Sequence, residues 1–201
     1  LNFILNKSDR KYVELGNNNK LVTYRVWYDS VFTNAPSFVK IQINFLEEIK
    51  FEIKPKETIS LIKDNITKDE KTYFQDFIIY YKKRKLLVYD IKEIITEKIR
   101  SLLTRRAIKS RDAIDLLFIF NKYKIKPESL IKEAKEKIAY AIDNYEKYKQ
   151  NFILSKEKIE QVDFSYSEVK HLVIKDFKEK DFDNFIAELI PFLQKILKDL
   201  R

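Results

Sequence analysis

Hydrophobic and polar positions change rhythm once along this chain. Early on they alternate. Residues 20–29, KLVTYRVWYD, send Val22, Tyr24, Val26 and Tyr28 one way and Thr23, Arg25 and Trp27 the other, the period-two signature of a strand. Residues 38–46, FVKIQINFL, alternate again, with Val39, Ile41, Ile43 and Phe45 on the expected core side. TNAPS between them is a turn, so an antiparallel pair is the simplest arrangement. Segments 49–54 and 57–62 suggest one or two further short strands. Residues 66–85 read either as a helix from Lys68 to Lys83 or as a helix running into a strand. LLVYD at 86–90 reads as a short strand.

From residue 91 the period is helical. Ile91, Ile94, Ile95, Ile99, Leu102 and Leu103 mark one face of a helix over 91–104. Ser110 is the expected cap of a second helix reaching about Tyr123, with Asp112 in its first turn facing the positive end of the dipole. Pro127 suits the first position of a helix running to about residue 150, whose face is Leu130, Ile131, Ala134, Ile138, Ala141, Ile142 and Tyr145. The last helix, about 181–200, repeats Phe182, Phe185, Ile186, Leu189, Ile190, Leu193, Ile196, Leu197 and Leu200, and Pro191 inside it predicts a kink or break. Strands first and helices afterwards make an α+β protein, divided for this reading into a sheet region, 1–90, and a helical region, 91–201.

One residue breaks the helical pattern at 91–104. At about 100° per residue, Lys98 falls within roughly 20° of Ile91 on the apolar face. A buried lysine needs an anionic partner. Asp112 and Asp115 open the next helix, which is otherwise almost wholly apolar. A lysine and two carboxylates in one space form either a buried structural ion pair or an active site. Asp115, among apolar neighbours, is the better candidate for a purely structural partner.

Composition narrows the chemistry. One glycine in 201 residues excludes glycine-rich phosphate loops from the chain as given. The absence of cysteine removes disulfides, thiolate zinc sites and thiol nucleophiles. His171 is the sole histidine and is assigned no chemistry, so any metal would need carboxylate oxygens, which favours magnesium or manganese. The longest apolar runs, such as LLFIF at 116–120, are too short to span a bilayer, and LNFILNK is too short for a secretory signal, so a cytoplasmic protein is expected. A net charge of +9 points to an anionic partner, commonly nucleic acid. A thermophile or an AT-rich genome would explain the abundant Lys, Glu, Ile and Tyr equally well. No methionine occurs anywhere, which suggests a processed or shortened copy of a longer chain.

The basic residues cluster at both ends of the Lys98 helix. Lys82, Lys83, Arg84 and Lys85 precede it, following Tyr80 and Tyr81, which suit base stacking; Arg105, Arg106 and Lys109 follow it. Such runs are ordinarily solvated surface. Together they would also suit a phosphate-backbone track. The tyrosines at 140, 145 and 148 are read as packing residues on one helix.

The block YDIKEIITEKIRSLL–TRR–SRDAIDLLFI resembles the abortive-infection AbiEii nucleotidyltransferase-toxin family. Glu97-Lys98 stands where members carry a Glu-Lys pair, and Arg111-Asp112-Ala113-Ile114-Asp115-Leu116 stands where they carry Arg-Asp-x-x-Asp-Leu. The resemblance implies a nucleotidyltransferase-like fold and transfer of a nucleotide from an NTP, with Mg2+, to an acceptor such as tRNA. It implies an antitoxin partner. The nucleotide would lie between the N-terminal sheet and the Lys98 helix. Lys98 would contact the triphosphate, Asp112 would orient the lysine or the acceptor, and Arg111 and Arg105 would touch phosphate.

The family's other motifs are a Gly-Ser or Gly-Gly turn and a nearby aspartate pair that holds magnesium. Before the strand at 20–29 only Asp9 and Gly16 stand, without that pattern. Gln42 and Asn44 occupy the polar side of the strand where some relatives carry an acidic residue, and Glu47 and Glu48 lie just beyond. Metal ligands are therefore unassigned. Either an N-terminal portion precedes Leu1, or the chain is a catalytically inactive RNA-binding or protein-interaction module on the same scaffold.

Overall fold

The computed structural model describes residues 3–16, 19–31, 33–45, 47–59, 66–78, 83–162, 164–173 and 177–200. It divides into two units, Leu1–Glu48 and Ile49–Arg201.

The first unit is a three-stranded antiparallel sheet in the order β1 (Val13–Gly16), β2 (Leu21–Asp29), β3 (Pro36–Asn44). The expected pair forms, with Val22 opposite Ile43, Tyr24 opposite Ile41 and Val26 opposite Val39. Trp27 and Phe38 meet on the other face, ring centroids 4.9 Å apart. The expected core side does not become a core. Val39, Ile41, Ile43 and Phe45 are between 42% and 65% exposed, and Val22 is the one buried apolar residue among those described in this unit. The reason is architectural: β3 is an edge strand, and no helix occurs among the unit's described residues.

The second unit begins earlier than the division read from the sequence at 90/91. Its first residues are tied to its helices: the backbone N–H groups of Lys50 and Phe51 donate to Glu93 at 2.8 and 2.9 Å, and Phe51 packs on the helical core. A two-stranded antiparallel ribbon follows, β4 (Lys54–Glu57) with β5 (Lys85–Val88). Of the two readings of 66–85, the helix leading to a strand holds, as short helices α1 (Lys68–Tyr73) and α2 (Gln75–Ile78) before β5. A full capping box at Thr67 and Glu70 starts α1.

Helix α3 spans Ile91–Thr104, as its periodicity predicts, and Asp90 caps it by accepting from the Lys92 amide. Helix α4 is Ser110–Tyr123. Ser110 does not cap it. Its hydroxyl accepts from the Ser165 amide at 3.1 Å and donates to Glu168 at 2.9 Å. With glycine absent, Lys124 takes the left-handed position that ends α4 (φ 54°).

The expected helix over 127–150 is in fact three pieces. A 3-10 turn at Pro127–Leu130 leads into α5 (Ile131–Asn144). The chain then opens at Tyr145 (φ −139°, ψ 104°), and α6 runs Glu146–Lys158. Tyr140 and Tyr148 therefore sit on different helices. After α7 (Tyr166–Val169), α8 runs unbroken over Glu179–Asp199 with Pro191 inside it. Phe182, Leu189, Leu193, Ile196 and Leu197 of α8 join Ile95, Ile99, Leu102 and Leu103 of α3 and Ile114, Leu116 and Phe120 of α4 in one apolar core. The result is α+β, with antiparallel strands early and helices after them. No helix among the described residues is long and apolar enough to cross a membrane.

Candidate functional site

Helix α3 carries two polar stripes. Lys98 lies on one of them, and Arg105, the extended residue that ends the helix, reaches the same side. Glu93, Glu97, Arg100 and Thr104 share another, about 130° round the helix. The first stripe meets α4 and the second meets α5 and α6.

On the α4 side Lys98 finds both expected partners. Its Nζ lies 2.6 Å from Asp115 Oδ2 and 3.4 Å from Asp112 Oδ1. Arg105 Nη1 donates to the other Asp112 oxygen at 2.9 Å. Asp112 is the buried member, its side chain 8% exposed; Asp115 is 52% exposed. Asp115, expected among apolar neighbours, is thus the solvated partner of Lys98, and Asp112 the enclosed one. Asp115 follows Asp112 by three residues, enough rotation to carry it from the helix contact to the rim. Lys98 itself is 23% exposed: its stem is packed and its ammonium is held at the edge of the core.

Arg111 is exposed on the first turn of α4, beside Asp112 in sequence, and Arg106 and Lys109 are exposed in the connection between α3 and α4. Together with Arg105 they place four cations around the Lys98 cluster or within a few residues of it. Lys83, Arg84 and Lys85 are also exposed, but at the opposite end of α3, whose 14 residues span about 21 Å. Lys82, Tyr80 and Tyr81 lie outside the described residues. His171 is exposed in a short 3-10 turn.

The second stripe was not anticipated. Lys137 of α5 and Glu93 of α3 form an ion pair in which the two side chains are 2% and 1% exposed. Glu93 Oε1 takes the Lys137 ammonium, and Oε2 takes the Lys50 and Phe51 amides. Lys137 also stands 3.6 Å from Glu97. Glu97 accepts twice from Arg100, whose guanidinium donates to Thr104 Oγ1 at 2.8 Å and lies over the Tyr148 ring at 5.1 Å. Asn151 of α6 closes the ladder on the Thr104 carbonyl at 3.0 Å. Burial alone would raise the Glu97 carboxyl, but the Arg100 hydrogen bonds and charge, with Lys137 and Arg105 nearby, hold it below its ordinary value. Burial works against the Arg100 cation, yet Glu97 outweighs it and raises the guanidinium further. A signal for Lys137 existed: it stands beside Ile138 at the border of the α5 apolar face.

Neither stripe offers a divalent-metal site. Both oxygens of Asp112 are committed to cations, and no group of three or more His, Cys, Asp or Glu side chains able to hold a metal ion occurs among the described residues. The residues of these two stripes do not fit that ion.

A buried carboxylate holding a lysine and an arginine at a helix junction, rimmed by further cations, is an arrangement that can receive phosphate groups. The comparison with protein families gives the class of the chain. The model of the AbiEii nucleotidyl transferase toxins of type IV toxin–antitoxin systems matches residues 5–200, and the chain belongs to this family. The family implies use of an NTP with a divalent metal, and an antitoxin partner. No curated protein and no solved structure matches the chain.

Proposed function

We propose that the Lys98 cluster binds the triphosphate of an NTP, for transfer of a nucleotide to an RNA acceptor such as tRNA in the cytoplasm. The observation that carries this reading is the unequal burial of the two aspartates on one lysine. Asp112 is enclosed and holds Lys98 and Arg105 in place. Asp115 is solvated, and an exposed ion pair contributes little. A phosphate oxygen can therefore replace Asp115 at Lys98 without breaking the buried contact. Lys98 then neutralises phosphate charge as a point cation, and Arg105 and Arg111 offer planar forks. Asp112 positions the two cations. The RNA would cross the exposed basic residues Arg106 and Lys109, and Lys83, Arg84 and Lys85 would extend that surface.

Equilibrium binding of a labelled triphosphate to the wild type and to Lys98→Ala tests this. Binding should be lost in the variant, while circular dichroism shows the fold intact. Unchanged binding refutes the role of Lys98. RNA affinity should fall steeply with salt, and Arg106→Ala with Lys109→Ala should flatten the log–log slope by about 1 for each phosphate that is no longer neutralised. A salt-independent affinity removes the RNA surface. The commitment of both Asp112 oxygens to cations also favours a second reading, a non-catalytic RNA-binding or protein-interaction module. Salt-dependent RNA binding without triphosphate binding would select it.

A further inference from the structure

The buried stripe of α3 has no place in phosphate binding, yet it is the most enclosed charge system among the described residues. Its members belong to three elements. Glu93, Glu97 and Arg100 are on α3, Lys137 is on α5, and Tyr148 and Asn151 are on α6. Each contact crosses from α3 to a neighbour or braces one that does. We infer that Glu93 and Lys137 are positioning residues for the Lys98 cluster: they fix the rotation of α3 about its own axis, and so decide which way Lys98 and Arg105 face. This rests on the assignment of Lys98 to the triphosphate.

The buried apolar face of α3 sets which side meets the core, and similar side chains along it tolerate small turns about the axis. A buried ion pair limits those turns as well. Turning α3 by one residue, about 100°, would withdraw Glu93 from Lys137 and from two amides together. Glu93, 1% exposed, would then be enclosed without its cation. The same turn would swing Lys98 away from Asp112, since the two stripes are rigidly related by the helix. Glu97 and Lys98, adjacent in sequence, thus serve opposite sides. Glu97 braces the interior through Lys137 and Arg100, and Lys98 faces α4. Glu97 also feels the charge of Arg105, so the two stripes are electrostatically joined.

The test reads the position of Lys98 directly and needs no nucleotide. Heteronuclear NMR of the full chain, with lysine side-chain nitrogens labelled, should show a Lys98 ammonium signal shifted from that of a free lysine by its two carboxylates, assigned by its disappearance in Lys98→Arg. In Lys137→Met that signal should move to the position of a solvated lysine while circular dichroism stays helical. Lys137→Arg should restore it. Glu93→Gln keeps an acceptor for the Lys50 and Phe51 amides and removes the charge, so it gives the same readout if Lys137→Met does not fold. Triphosphate affinity should drop about tenfold or more in the displaced variants. A Lys98 signal unmoved in folded Lys137→Met or Glu93→Gln overturns the inference. A signal that moves, with triphosphate binding absent even from the wild type, leaves the positioning intact and sinks the assignment of Lys98 to triphosphate instead.

Discussion

The two sides of helix α3 place ionised groups under opposite conditions. Toward α5 and α6, Lys137 and Glu93 are sealed, their side chains 2% and 1% exposed. Toward α4, one carboxylate is sealed and the other is wet, and both cations reach solvent. A sealed pair gives a fixed geometry, because solvent does not compete for either group. A half-sealed cluster gives a fixed anchor, Asp112, with an exchangeable rim. The difference separates holding a helix from receiving a ligand, although the residue types are the same.

The comparison breaks most easily at Lys137. Replacing it with alanine leaves Glu93 charged and enclosed, and should cost about 3–5 kcal/mol in urea denaturation. A loss below about 1 kcal/mol would show that water reaches the pair and that the two sides do not differ. Asp112→Ala should cost less, about 1–2 kcal/mol, because Lys98 and Arg105 can turn to solvent once released. It should also lower triphosphate affinity, measured in the same labelled-ligand assay.

Acid should act on the sealed side through Glu97. Its folded value is depressed, so its contribution to stability is fully present above the unfolded carboxylate range, about pH 4.3, and is lost as pH falls through the lower folded value. Stability measured against pH should therefore fall less steeply in that window in Glu97→Gln than in the wild type. The smallest effect belongs to Asp115→Ala, about 0–1 kcal/mol, measurable as a shift in the urea midpoint. A large loss there would mean that Asp115 anchors Lys98 as Asp112 does, and the exchangeable rim would vanish.

The sequence was most informative where a charge interrupts an apolar period. Lys98 breaks the pattern of α3, and its partners stand 14 and 17 residues on, at the start of the next helix, where a local reading finds them. Glu93 and Lys137 are 44 residues apart, and nothing local connects them. The break at Tyr145 is invisible in the pattern because helical periodicity continues across it, and no proline or glycine marks the spot. Ser110 has the residue type of a cap, but a tertiary demand from Ser165 and Glu168 takes its hydroxyl. In β3 the alternation correctly gave a strand and its faces. Alternation states which side chains share a face; whether that face is covered depends on other elements. At the sequence level family membership rests on the block from Tyr89 to Ile119, and the family match extends it to nearly the whole chain.

Residues 49–53 are themselves in neither helix nor strand, and such stretches ordinarily exchange their amide hydrogens with solvent within moments. Lys50 and Phe51 bond a carboxylate that is itself clamped inside the helix packing. Their amide protons should persist in deuterium oxide as long as those of the interior of α3, and should be released only when the helices separate. An irregular stretch at the start of the second unit thereby becomes a reporter of that unit's global opening.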